Sequence, residues 1–312
     1  MVQGNKKLFC FGYGYTCDYL AHALMADKKQ VWEIGGTTRD LEKRAFLRSV
    51  GIKAHLFDYE HPLGDPYFIL DGTTHLLIST PPDDMGDPTF AMHAADLMRI
   101  PTLEWVGYLS TTGVYGDRAG GIVDETSEVR PNSKRGSRRL QAEEQWTSLL
   151  MESGFPLHIF RLAGIYGPGR SALDSVRAGV ARRINKPGQV FNRIHVEDIV
   201  QVLLASMAKP NPGAAYNLAD DDPVPSHEVI LYACQKLGIT PPPLIPYNEA
   251  DMAPITRSFY SDNKRVANNK IKTELGVTLK YPSFREGIDG CLEAEKTLVE
   301  DHYLPAYMSS EG

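Results

Sequence analysis

Gly12-Tyr13-Gly14-Tyr15-Thr16-Cys17 stands directly after the apolar run Leu8–Phe11 and before a stretch carrying Leu20, Ala21, Ala23 and Leu24. Strand, glycine turn and helix in that order suit one chemistry, the holding of a pyrophosphate. Gly12 can take a tight turn, Gly14 lets backbone N–H groups approach phosphate oxygens at a helix N-terminus, and Cys17 fills the third position, where close helix–strand packing requires a small side chain. The same pattern also describes a tight βα turn without a ligand. Cys17, standing where Gly or Ala is usual, is what favours that alternative.

The run Val31–Thr38 reads as the second strand, and its end selects the dinucleotide. A free ribose 2′-OH is read by an Asp or Glu at that point. Here Thr37, Thr38 and Arg39 stand there instead, and hydroxyls with a guanidinium suit a 2′-phosphate. The expected cofactor is therefore NADP in preference to NAD; the alternative for Arg39 is a solvated loop charge. Position alone places Asp58, closing the third strand, near an adenine, and Ser79, Thr80 and Pro81, closing the fourth, beside the cofactor.

Other site chemistries lack their residues. There is no HExxH, no Gly-x-Ser-x-Gly and no Walker lysine, and the scattered His and Asp residues have no metal-ligand spacing, so no metal is expected. Cys10, Cys17, Cys234 and Cys291 form no CxxC pair and read as free thiols of a reducing compartment. A formal charge of -6 with dispersed Lys and Arg argues against nucleic acid or an anionic membrane as partner and leaves a small molecule. Met1–Lys7 is short and polar, and no run approaches a membrane span, so the expected location is cytoplasmic.

These residues need elements to position them. Leu8–Phe11, Val31–Thr38, Ala54–Asp58, His75–Thr80 and Trp105–Thr111 are strand-like, with helix-like stretches between several of them, the pattern of βαβ crossovers in a parallel sheet. A Gly-rich polar loop (116–136), a helix carrying Leu140, Ala142, Trp146, Leu149 and Leu150, and a sixth strand Leu157–Leu162 follow. Beyond Gly164 the spacing predicts a helix around 171–183, a strand near 190–194, a helix 196–208, a strand 215–218 and a helix 226–237 capped by Ser226. Pro241–Pro246 is a rigid loop. The expected fold is α/β, a doubly wound parallel Rossmann sheet over residues 1–165 with returns at about 189–219. A smaller C-terminal substrate lobe comprises 166–188 and 220–312.

Beyond the glycine turn, four stretches carry a resemblance: Leu109-Ser-Thr-Thr-Gly-Val-Tyr-Gly116, Arg161-Leu-Ala-Gly-Ile-Tyr-Gly-Pro-Gly169, Ile194-His-Val-Glu-Asp198 and Tyr216-Asn-Leu-Ala-Asp220. Together they resemble the extended, epimerase/dehydratase-like branch of the short-chain dehydrogenase/reductase superfamily, through nearly the whole chain. The resemblance implies a Ser or Thr after the fifth strand and a Tyr-xxx-Lys pair on the next helix, whose phenolate moves a proton while hydride moves to or from the nicotinamide. Thr111 matches the hydroxyl. Arg135-Gly-Ser-Arg-Arg139-Leu-Gln-Ala-Glu143 puts Arg135 at the Tyr position and Arg139 at the Lys position, and arginine stays protonated. The chain thus resembles an atypical member with a rebuilt site.

Arg135 and Arg139 could hold an anion, on the cofactor or on a substrate. Alternatively they form, with Lys134 and Arg138, a solvated helix face paired with Glu143 and Glu144. Tyr115, Tyr166 and His195 are candidates for substrate contact and proton transfer, against a packing role for the tyrosines and a loop-orienting role for His195. Arg257 is a candidate anion partner, and Tyr247, Phe259 and Tyr260 could wall a pocket or pack in a core. The resemblance implies a small-molecule substrate, anionic or nucleotide-sugar-like, and a homodimer through helices flanking the sheet. Two functions follow: an NADP-dependent oxidoreductase or epimerase/dehydratase-like enzyme of unknown substrate, or a non-catalytic NADP(H)-binding sensor or regulatory scaffold.

Overall fold

A computed structural model describes residues 5–300, the side chains of 297–300 excepted. The expectation for Met1–Lys7 therefore falls partly outside the described residues. In chain order the elements are β1 (Lys6–Phe11), α1 (Tyr15–Ala26), β2 (Trp32–Thr38), α2 (Leu41–Ser49), β3 (Lys53–Leu56), α3 (Pro66–Leu70), β4 (His75–Ile78), α4 (Pro88–Leu97) and β5 (Trp105–Thr111). Then come β6 (Ile122–Val123), α5 (Lys134–Ser153), β7 (Leu157–Leu162), β8 (Gly164–Tyr166), α6 (Ala172–Arg177), β9 (Arg183–Asn185), β10 (Arg193–His195), α7 (Val196–Ala208) and β11 (Ala215–Leu218). The chain continues with α8 (Ser226–Leu237), β12 (Leu244–Pro246), α9 (Pro254–Phe259), β13 (Arg265–Val266), α10 (Asn269–Thr273) and α11 (Phe284–Glu300).

Two compact units result. Among the described residues, the first holds 5–111, 134–161 and 200–216; the second holds 112–133, 162–199 and 217–300. In the first, a seven-stranded sheet runs in the order β3-β2-β1-β4-β5-β7-β11, with β1, β2, β3, β4 and β5 joined by parallel pairings. The order reverses between β1 and β4, the switch point at whose strand ends such sheets bind ligands. The strands are apolar almost throughout, as burial on both faces requires. Phe9, Phe11, Tyr108, Trp146 and Leu157 form the core, with Trp146 stacked on Phe155 at 5.9 Å. Trp146 also donates its indole N–H to Asp87 at 3.0 Å, while Asp87 caps α4 through Thr89 N and Phe90 N, with Pro88 in the first turn.

The division differs from chain order. Residues 112–133 join the second unit because β6, inside the expected loop, pairs with β13; 162–199 join it through the β8–β10 and β9–β12 pairings. The helix expected over 171–183 ends at Arg177, two residues before Gly179 at φ +68°, and Ser171 opens it with a capping box to Asp174 that was not foreseen. The strand expected near 190–194 lies at Arg193–His195. Ser226 does not cap α8. It is the first helical residue, after Pro225 at φ -59° and ψ 142°, and no side chain caps that end. Tyr166, Leu173, Cys234, Phe284 and Cys291 form one core of this unit, and Ile184, Met252 and Tyr260 another.

Candidate functional site

At the end of β1, Gly12 has φ +80°, donates its N–H to Thr37 Oγ1 at 2.8 Å, and lies so close to the chain beyond β4 that a Cβ there would stand 2.9 Å from Thr80 N. Only glycine fits both conditions. Gly14 caps α1 with no side-chain hydrogen bond, and a Cβ on it would meet only Gly12 O at 3.9 Å, so the helix N-terminus is sterically open. Tyr13 and Thr16 are buried beside it and Tyr15 is half-buried, its ring 5.0 Å from Tyr19. Cys17 is fully buried and donates to Gly12 O at 3.4 Å; a hydrogen bond with Cys10 is the main cause that lowers its thiol from the ordinary range. The third small residue therefore packs the helix onto β1. Sequence reasoning missed Asp18, a buried carboxylate one turn into α1.

At the end of β2 the hydroxyls are engaged locally: Thr37 accepts from Gly12 N, and Thr38 Oγ1 accepts from Asp40 N at 3.2 Å. Arg39 is exposed. Asp40 caps α2 by accepting from Lys43 N at 2.7 Å, and the first turn of that helix carries Glu42, Lys43 and Arg44. Asp58 lies two residues past β3, and its Oδ1 accepts from Glu60 N, His61 N and the His61 ring, each at 2.8 Å. Beyond β4, Ser79 N bonds Phe11 O at 2.8 Å, Thr80 Oγ1 bonds Thr89 Oγ1 at 2.7 Å, and Pro81 is exposed.

Thr111 ends β5 half-buried. On α5, Arg139 donates from Nη1 to Leu109 O at 2.8 Å, Tyr108 OH at 3.2 Å and Thr80 O at 3.4 Å, joining the ends of β4 and β5. Arg135, one turn earlier, is exposed. Lys134 and Arg138 both pair with Asp84, Lys134 at 2.7 Å. Glu143 does not lie on the solvated helix face of the alternative reading: it is buried, accepts from Ser110 Oγ, and holds Arg161 through Nε at 3.2 Å and Nη2 at 2.8 Å.

The second unit holds the remaining candidates. Tyr115 is fully buried and donates to Asn217 Oδ1 at 2.8 Å. Tyr166 is buried, its OH 3.5 Å from Ser283 O and its ring edge-on to His195; burial pushes its phenol far up. His195 accepts Glu197 N on Nδ1 at 3.2 Å, its Nε2 lies 3.8 Å from Cys291 Sγ, and burial pushes it down to about 4. These are the surroundings of a neutral, structural imidazole. Arg257 is exposed on α9, 5.8 Å from the Tyr247 ring. A cavity of about 640 Å³ in this unit is lined by Arg182, Arg193, Phe191, Met252, Phe259 and Tyr260 among others; Tyr247 packs on Tyr260 at 5.3 Å. Among the described residues no cluster of His, Cys, Asp or Glu is placed to hold a metal, and no helix is long and apolar enough to cross a membrane.

Strand order and glycine turn define a doubly wound α/β protein of the Rossmann type. Residues 89–219 match the model of the NAD dependent epimerase/dehydratase family. A solved structure of a functionally unknown conserved protein from Silicibacter pomeroyi DSS is 49% identical over 93% of this chain and 99% of its own, with a TM-score of 0.85. Protein YeeZ of Escherichia coli is 28% identical over 89% of this chain and 97% of its own length. UDP-glucuronic acid 4-epimerase from Bacillus cereus, solved in complex with NAD, is 15% identical over 94% of this chain and 99% of its own, at a TM-score of 0.72, a likeness of fold.

Proposed function

We propose that this protein binds NADP at the Gly12–Cys17 turn and acts as an oxidoreductase or epimerase/dehydratase-like enzyme on a small anionic or nucleotide-sugar-like substrate. The observation that carries the reading is the pair of glycines: Gly12 admits no side chain, and Gly14 opens an uncapped helix N-terminus at the sheet's switch point. The preference for NADP rests on Arg39, Lys43 and Arg44 around the start of α2 and on Asp40, whose carboxylate is occupied as a helix cap. NADP when bound supplies hydride transfer. The residues of this chain hold its phosphates, and Thr111 offers a hydroxyl at the end of β5.

Arg135 and Arg139 stand at the family's Tyr and Lys positions, so any proton moved with the hydride needs another carrier. One observation favours the second reading, a non-catalytic NADP(H)-binding sensor or scaffold: Tyr115, Tyr166 and His195 are all buried, with Tyr115 OH on Asn217 Oδ1 and His195 Nδ1 on Glu197 N.

Fluorescence titration with NADPH and NADH tests the cofactor claim. NADPH is expected to bind at least tenfold more tightly than NADH, and Arg39→Ala to remove that preference; binding of neither nucleotide overturns the proposal. Turnover of bound NADPH in a screen of carbonyl compounds and nucleotide sugars separates enzyme from sensor.

A further inference from the structure

The start of α5 gathers Lys134, Arg135, Arg138 and Arg139 within two turns, with no acidic residue in the first. Cations there oppose the helix dipole, whose positive end they crowd. Lys134 and Arg138 share Asp84 as counter-ion. Arg139 forms no ion pair among the described residues. Its three acceptors, Leu109 O, Tyr108 OH and Thr80 O, are neutral and all bond Nη1. Nε and Nη2 have no partner among the described residues, and neither belongs to the buried unsatisfied atoms, a group that does include Nε of Arg138.

The guanidinium is thus held from one side. Bonds to the ends of β4 and β5, with the Tyr108 ring 5.5 Å away, fix its plane and leave the Nε–Nη2 edge accessible at the carboxyl ends of two parallel strands. That edge matches two oxygens of a planar oxyanion. Arg161 in the same unit shows it engaged, with Nε and Nη2 on the Glu143 carboxylate at 3.2 and 2.8 Å. Arg135, four residues before Arg139, adds positive charge to the same helix face.

We propose that the Nε–Nη2 edge of Arg139 is an oxyanion receptor and that the substrate of this site carries a carboxylate or phosphate group. The inference rests on the cofactor reading above and names the substrate class of the same site. Where the family places a proton carrier and a lysine, this chain places a preorganised fork for a negatively charged group.

The test uses the full chain, with malonate and inorganic phosphate as probes, chloride at matched ionic strength as reference, and calorimetric titration with and without saturating NADPH. Arg139→Lys keeps the charge and loses the planar fork, so probe affinity is expected to fall at least tenfold, while the exposed Lys28→Ala leaves it unchanged. No probe binding by the wild type, or equal affinity in Arg139→Lys, overturns the receptor. Because Arg139 also holds Leu109 and Thr80, a second measurement avoids substitution. Phenylglyoxal modification of Arg139 in the wild type, read by peptide mass spectrometry, is expected to slow with malonate or phosphate and not with chloride; absence of protection overturns the receptor. Arg139-dependent probe binding in a protein that binds no NADPH defeats the cofactor reading alone. NADPH binding with Arg139-independent probe affinity defeats the receptor alone. Preference for malonate identifies a carboxylate, and preference for phosphate a phosphoryl group.

Discussion

Glu143 on α5 and Arg161 on β7 form a buried, two-pronged ion pair, with Ser110 Oγ of β5 donating to the same carboxylate. Three elements of the first unit meet at one charge. Removing one partner of such a pair leaves the other buried and uncompensated, which costs about 3–5 kcal/mol. Glu143→Ala is therefore expected to lower unfolding stability by about that amount, and Ser110→Ala by about 1 kcal/mol. Urea denaturation with an unchanged m-value measures both; a Glu143→Ala loss below 1 kcal/mol contradicts the burial argument.

The two glycines of the turn separate folding from binding. Gly12→Ala forces a positive φ on alanine and drives its Cβ to 2.9 Å from Thr80 N, so a loss of about 1–3 kcal/mol is expected along with loss of NADPH affinity. Gly14→Ala has φ -108° and no atom nearer than 3.9 Å, so its melting temperature should stay within a few degrees of wild type. NADPH affinity should nonetheless fall, because the methyl group stands where a pyrophosphate would approach. If Gly14→Ala binds NADPH like the wild type, the dinucleotide does not lie on this helix.

Tyr166 and Tyr115 differ in what their hydroxyls do. The Tyr166 OH lies 3.5 Å from its acceptor, at the limit of a hydrogen bond, so Tyr166→Phe should cost under about 1 kcal/mol. Tyr115→Phe removes a 2.8 Å donor from the buried Asn217 side chain and should cost about 1–3 kcal/mol. In any substrate assay that detects turnover, Tyr166→Phe should retain it. Loss of turnover at unchanged stability would make Tyr166 the proton carrier that its burial argues against.

The parts of the fold that follow local chemistry were legible in the sequence. β1 with its glycine turn, α7, β11 and α8 are found where periodicity and turn residues put them, because apolar runs and helix patterns there are uninterrupted. Pairings between distant segments were not: β6 and β13 are two-residue strands whose partners lie more than a hundred residues apart, and neither has a pattern of its own. The same limit governed the site. Glu143 and Glu144 look alike in the sequence as charges on a polar helix, yet only Glu143 meets Arg161. Asp40 carried a readable signal, an Asp three residues before a helical Lys43 N–H, which is the spacing of a cap. His195 stands in a recognisable stretch, but only packing reveals that both its nitrogens face the protein.

That packing fixes a pH dependence. His195 lies between the rings of Tyr166 at 5.2 Å and Tyr281 at 4.0 Å, with Cys291 at Nε2 and Glu197 N at Nδ1. Burial pushes it down to about 4, Glu197 acting against this and Lys280 with it. An unfolded histidine titrates near 6.5. Below that the unfolded chain binds the proton first, so the stability contributed by neutral His195 is fully present above about 6.5 and is lost as pH falls toward 4. Asp220, raised to about 8 by burial, contributes with the opposite sign, since its protonated form is favoured in the fold and that contribution is lost as pH rises through 8. The wild-type profile alone therefore mixes the two, and a difference isolates the histidine. Between pH 7 and pH 5 the wild type should lose about 2 kcal/mol more than His195→Gln, which has nothing to protonate in that range. Parallel profiles for the two proteins in urea unfolding would mean that His195 is protonated in the fold or stays accessible to water.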